Sequence, residues 1–191
     1  MNIGDLDVEQ LAALVCDTLE NHGVSTVLTG GSCVSVWTNN EYASNDLDFI
    51  VLGLASNQRL AKILGAIGFE RKTSSPRYFE NAETHLAIEF PSGPLMVGDE
   101  QIRDERIDQR ATDVGVLRLL SPTDCIKDRL AAYYYWKDEQ CLDQALMVTV
   151  SQTVDWEDLK RWHEAEKLAD RFAEFRESAA SMRTFRSHTF D

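Results

Sequence analysis

The sequence predicts an α+β fold: a mixed β-sheet with flanking helices over residues 1–120, then a C-terminal helical region over 121–191 packed on that core. Three observations carry this. Two β-branched apolar runs, residues 24–29 and 46–52, flank a glycine pair and a short helical stretch. Further short apolar runs, separated by Gly, Pro and Ser, continue to residue 120. From Ser121 onward the periodicity turns helical.

Residues 5–21 read as an amphipathic helix, capped by Asp5 or Asp7, with Val8, Leu11, Leu14, Val15 and Leu19 at helical spacing. Gly23 stops it. Residues 24–29 form a first strand, central because it carries little charge. Gly30-Gly31-Ser32 turns that strand into a helix over 33–38, and a polar loop leads to a second strand at 46–52. Ser56 caps a helix to residue 67 with Leu60, Ile63, Leu64 and Ile67 inward, and Gly68 ends it. Residues 69–72 and 77–81 make a hairpin around Ser74-Ser75-Pro76. A strand over 84–90 turns Leu86 and Ile88 one way and Ala87 and Glu89 the other. Residues 95–97 return as a short strand. The charged segment 99–110 is expected as a loop or exposed helical turn, and 114–120 as a strand.

Ser121-Pro122-Thr123-Asp124 starts a helix, with a cap, proline in the first turn and an acid beside it. That helix runs to Tyr135 or Trp136. A second spans 137–148, and a third, capped by Asp155, extends through Arg171 to Glu177. Trp156 and Trp162 anchor the last helix. Residues 183–191 lack periodicity and are expected to fray.

Composition narrows the function. A chain of 191 residues, 43% hydrophobic and 27% charged, suits one globular core. No apolar run reaches membrane-spanning length, and the first residues lack a secretory pattern, so the expected location is cytoplasmic. The four cysteines and four histidines are scattered, which argues against zinc and disulfide frameworks. A formal net charge of −13 opposes broad electrostatic binding of nucleic acid.

The chemistry concentrates between residues 24 and 52. Asp46 and Asp48 open a strand one residue apart, so both face the same side while Leu47, Phe49 and Val51 face the other. Two carboxylates at that spacing repel, and a cation between them relieves the cost. Glu89 offers a third carboxylate from a later strand; Glu83 is its rival, in a segment that reads as a turn. The glycines let a phosphate approach backbone amides, the following helix adds partial positive charge, and Ser32 adds a hydroxyl donor. The plainer account is a tight turn without ligand and solvated surface acids. The ordered combination points instead to a metal-dependent site for a nucleoside triphosphate.

This organisation resembles the nucleotidyltransferase superfamily, the fold shared with DNA polymerase beta, and specifically its minimal prokaryotic members. The matching residues are Gly30-Gly31-Ser32, Asp46, Asp48 and Glu89. The run from Asp124 to Ala132, followed by Lys137-Asp138, is similar to the helix after the sheet in AbiEii-type toxin nucleotidyltransferases. The resemblance implies that Asp46 and Asp48 hold two Mg²⁺ ions, with Glu89 on the ion that activates an acceptor hydroxyl. It implies that Gly30, Gly31 and Ser32 cradle the triphosphate while Lys127 or Arg129 offsets its charge. The implied reaction moves a nucleoside monophosphate from an NTP to an RNA end, a protein or a small molecule. The toxin likeness adds a protein antitoxin as partner.

Two departures favour a second reading, a catalytically degenerate module that binds a nucleotide or a protein. Tyr42-Ala43-Ser44-Asn45 stands where many relatives carry Arg-x-Thr, and the third acid, commonly aspartate, would be Glu89. Two other features read as architectural. Tyr133-Tyr134-Tyr135-Trp136 points in several directions on a helix, and Arg71, Lys72 and Arg77 suit a solvated hairpin better than an acceptor groove.

Overall fold

Capping and burial set the first half of the molecule. In the computed structural model, which describes residues 2–189 with side chains through residue 185, helix α1 (Val8–Glu20) follows a 3-10 turn at Ile3–Asp5. Asp7 is its cap: the Asp7 side chain accepts from the Gln10 amide, and the Gln10 side chain accepts from the Asp7 amide. All four residues of β1 (Thr26–Thr29) are buried, as is every residue of α2 (Gly30–Trp37). α2 begins three residues earlier than the periodicity suggests. Gly30 makes the bend itself at φ 67°, and the glycines form the first turn of the helix.

The chain then lays down β2 (Asp46–Val51), α3 (Asn57–Gly65) capped by Ser56, and the hairpin β3 (Glu70–Arg71) and β4 (Tyr78–Glu80). β5 (Ala87–Glu89), the small hairpin β6 (Met96–Val97) and β7 (Glu100–Gln101), β8 (Ile107–Ala111) and β9 (Val116–Leu120) follow. Seven strands form one sheet in the order β3-β4-β5-β2-β1-β9-β8. β1 is antiparallel to β2 and parallel to β9, while β2 is parallel to β5. The sheet is therefore mixed, as expected. Phe90 packs between Phe49 and Phe79, with ring centroids at 6.2 and 5.7 Å.

Four helices complete the fold: α4 (Pro122–Trp136), capped by Ser121, α5 (Glu139–Ser151), α6 (Trp156–Ala165) and α7 (Ala169–Thr189). Their buried side chains, including Ile126, Val148 and Trp162, join the same core as Leu28, Phe49 and Leu119. Among the described residues no helix is long and apolar enough to cross a membrane.

The structure corrects three expectations. Segment 99–110 holds β7, a 3-10 turn at Asp104–Arg106 and the start of edge strand β8. Charge masked the strand, because Arg110 pairs with Glu9 at 2.7 Å and lies over the Trp37 ring. The single helix expected after Asp155 is two, broken where Lys167 takes φ 62° without a glycine to signal it. The segment expected to fray from residue 183 is helical to Thr189, with Phe175 and Ala179 buried and Arg183 donating to the Thr149 carbonyl at 2.9 Å; residues 190 and 191 lie outside the described ones. The aromatic run divides as anticipated: Tyr134 meets His163 Nε2 at 3.1 Å, Tyr135 donates to Glu166, and Trp136 is 78% exposed.

Candidate active site

The parallel pairing of β2 with β5 sets Asp46 opposite Ala87 and Asp48 opposite Glu89. Strand alternation then brings Asp46, Asp48 and Glu89 to one face of the sheet, with Leu47 and Ile88 buried behind them. One oxygen from each carboxylate lies within 4.8 Å of the others. Glu83 stays in an exposed turn and is not part of this group. Burial, and after it the charges of Asp46 and Glu89, push the Asp48 carboxyl up to about 7, while Arg129 pulls the other way. Ser44, itself buried, donates to Asp46 Oδ1 at 3.1 Å.

α2 meets this group with its N-terminus. Thr29 is the cap residue but makes no side-chain cap; its hydroxyl donates to the Asp48 carbonyl at 3.3 Å. Gly30 is required here twice over, by its positive φ and because a Cβ would collide with the Asp48 carboxylate. Gly31 is less constrained: its Cβ would meet Ser44 Oγ at 3.1 Å and the Tyr42 ring at 3.3 Å. Tyr42 in turn accepts a hydrogen bond from Gln140 at the start of α5. The residues that replace Arg-x-Thr thus line the glycine turn.

Ser32 differs from its expected role. Its hydroxyl is fully buried, donating to the Thr29 carbonyl at 3.2 Å and accepting from the Asp48 amide at 3.4 Å. It fastens α2 to β2 instead of facing the cleft, although its amide remains in the first turn of the helix. Lys127 also stands elsewhere. Its ammonium is fully buried against Asp124 (3.1 Å) and Asp158 (2.5 Å), in a network that includes Glu100, Arg106 and Arg161. Burial works against the charges of Glu100 and Asp158, but Lys127, Arg106 and Arg161 outweigh it and hold both carboxyls below their ordinary range.

Arg129 does reach the site. It donates to Asp128 Oδ2, and that same oxygen accepts from the Gly30 amide at 3.3 Å. Asp128 escaped the sequence reading, since an acid beside an arginine on a helix carries no signal of what the topology brings opposite it. A cavity of about 1260 Å³ lies away from the carboxylates, between the β3–β4 hairpin and residues 81–87.

No family model matches the sequence, and no curated protein matches it. Solved structures do. The solution structure of the antibiotic-resistance factor ANT(2″)-Ia superposes with a TM-score of 0.52 at 14% identity, covering 95% of this chain and 97% of that one. This chain has the nucleotidyltransferase fold. The crystal structure of ANT(2″)-Ia in complex with adenylyl-2″-tobramycin gives a TM-score of 0.50 at 14% identity over 90% of this chain and 97% of that one. An antigenic nucleotidyltransferase-like protein from Paracoccidioides brasiliensis gives 0.50 at 10% identity over 74% and 75%. The α+β architecture expected from the sequence is thus that of the nucleotidyltransferase fold, with the three carboxylates on its sheet.

Proposed function

We propose that this chain is a metal-dependent nucleotidyltransferase that moves a nucleoside monophosphate from an NTP to an acceptor hydroxyl. One observation carries the reading: Asp46, Asp48 and Glu89 converge within 4.8 Å beside a helix N-terminus opened by Gly30. Oxygen-only donors suit Mg²⁺, so the residues fit the ions that the fold implies. Bound by these three carboxylates, two such ions would offset phosphate charge and acidify the acceptor hydroxyl.

The chain's own groups do the positioning. Ser44 orients Asp46, and Ser32 fixes the backbone of Asp48 against α2. The first-turn amides of α2 present the positive end of a helix to the β- and γ-phosphates, and Arg129 adds a full charge. The acceptor oxygen forms its bond to the α-phosphorus as the bond to the pyrophosphate oxygen breaks, and the acceptor's proton passes to solvent water.

A small-molecule alcohol is the acceptor class that fits. The net charge of −13 opposes a polyanionic RNA end and suits a cationic acceptor, and the fold neighbour ANT(2″)-Ia was solved with adenylyl-2″-tobramycin. A toxin-type role would keep the chemistry, exchange the acceptor for RNA or protein and add an antitoxin partner. Labelled NTPs incubated with Mg²⁺ and, separately, an aminoglycoside, total RNA or cell lysate decide among these by what becomes labelled. Asp46→Asn should abolish labelling while the fold persists; full activity in that variant would remove the metal site. ATP binding without pyrophosphate release would favour the degenerate module.

A further inference from the structure

Asp128 and Arg129 are consecutive on α4, and consecutive helix residues point about 100° apart. Their charged ends nevertheless meet. Arg129 Nε and Nη2 donate to Asp128 Oδ2 at 3.1 and 2.6 Å, and the Gly30 amide donates to the same oxygen at 3.3 Å. One carboxylate oxygen therefore takes a guanidinium and the first amide of a helix together. That is the donor set a phosphate oxygen accepts.

The surroundings argue that this anion is provisional. Asp128 adds a fourth carboxylate to the neighbourhood of Asp46, Asp48 and Glu89, where Arg129 is the cation acting on Asp48. Arg129 is anchored from its far side, where Nη1 donates to Gln144 Oε1 at 3.4 Å and to Cys141 Sγ at 3.7 Å on α5. The guanidinium can thus hold its place while its anion changes. Asp128, by contrast, has among the described residues only Gly30 and Arg129 on its bonded oxygen, and a polyphosphate brought to those donors would repel it.

Resting on the reading above, we propose that Asp128 is an internal stand-in for a phosphate group. Its carboxylate fills the seat formed by Gly30 and Arg129, and an incoming triphosphate displaces it and takes both donors. Held there, Asp128 sets a threshold that weakly charged ligands do not cross.

Calorimetry with inorganic tripolyphosphate, ATP and adenosine tests this, each with Mg²⁺ on wild type, Asp128→Asn and Arg129→Gln. Asp128→Asn should tighten tripolyphosphate and ATP by about tenfold and leave adenosine unchanged. Arg129→Gln should weaken the two phosphate ligands. Equal or weaker polyphosphate binding in a folded Asp128→Asn variant overturns the proposal and makes Asp128 a strut between α2 and α4. Should that variant not fold, ¹⁵N-labelled wild type supplies the answer: the Gly30 amide and Arg129 Nε–H resonances should move together as tripolyphosphate saturates, and static resonances overturn it equally. If ATP binds neither wild type nor Asp128→Asn, the nucleotide reading itself fails; if ATP binds wild type without tightening in the variant, only the stand-in fails.

Discussion

Gly30 and Asp48 occupy each other's space. A side-chain carbon on Gly30 would fall inside the van der Waals surface of the Asp48 carboxylate, and Gly30 also holds φ 67°. The missing atom is what lets the carboxylate-bearing strand and a helix N-terminus approach this closely.

Gly30→Ala should therefore be far more damaging than Gly31→Ala. The first adds left-handed strain of about 1–2 kcal/mol and pushes Asp48 out of line. The second meets Ser44 and Tyr42 at 3.1–3.3 Å, where small shifts suffice. Thermal melts with and without Mg²⁺ read both terms: Gly30→Ala should melt lower and lose its response to Mg²⁺, and Gly31→Ala should keep most of both. Equal losses would mean that the glycine–carboxylate contact does not govern the site.

Much of this site was legible because its parts are local. Alternation alone put Asp46 and Asp48 on one face, and Gly30-Gly31 marked the turn. Glu89 was legible as a strand residue, but its partnership with Asp48 depends on a parallel pairing across forty-one positions of sequence (89 minus 48) that no local pattern encodes. Lys127 and Arg129 could not be separated in sequence, since both are basic residues of one helix. Only the helix's rotation decides that one meets Asp158 and the other the Gly30–Asp128 contact. Strand β8 and the break at Lys167 were hidden for a related reason: distant charges satisfy Arg110, and a lysine does what a glycine ordinarily signals.

Asp48 makes the metal-free protein sensitive to pH. Its folded carboxyl titrates at about 7, above the unfolded value. Between those values the folded state holds a proton that the unfolded state has released, so stability falls as pH rises through the window and the full cost is present above it. Urea unfolding in EDTA should thus show less stability at about pH 8 than at about pH 5, by on the order of a few kcal/mol from this group. Saturating Mg²⁺ should remove most of that slope, and Asp48→Asn should lack it. A slope unchanged in Asp48→Asn would assign it to other groups.

Glu89 and Glu83 can be told apart directly. Glu89→Gln should weaken the Mg²⁺-dependent rise in melting temperature and lower nucleotidyl transfer by about two orders of magnitude, since one of the three converging carboxylates becomes neutral. Glu83→Gln, in an exposed turn outside the carboxylate group, should change neither. A strong effect at Glu83 and none at Glu89 would reverse the assignment of the third acid.

The buried network on α4 gives the last prediction. Lys127 and Asp124 are both fully buried, and Lys127 also holds Asp158. Lys127→Met leaves Asp124 and Asp158 short of one positive neighbour, although Arg106 still reaches both, at 2.5 and 2.7 Å. Breaking a buried pair from one side costs about 3–5 kcal/mol, and the surviving arginine should hold the loss near the lower end. Removing Asp124 as well, as Lys127→Met with Asp124→Asn, should recover part of it by taking away the unpaired charge. Because the Lys127 ammonium is spent in this network, the folded fraction of Lys127→Met should bind ATP as wild type does, whereas Arg129→Gln should not. Chemical denaturation gives the first pair of values and calorimetry the second. A marked loss of ATP affinity in folded Lys127→Met would return this lysine to the phosphate-binding role that the family resemblance left open between it and Arg129.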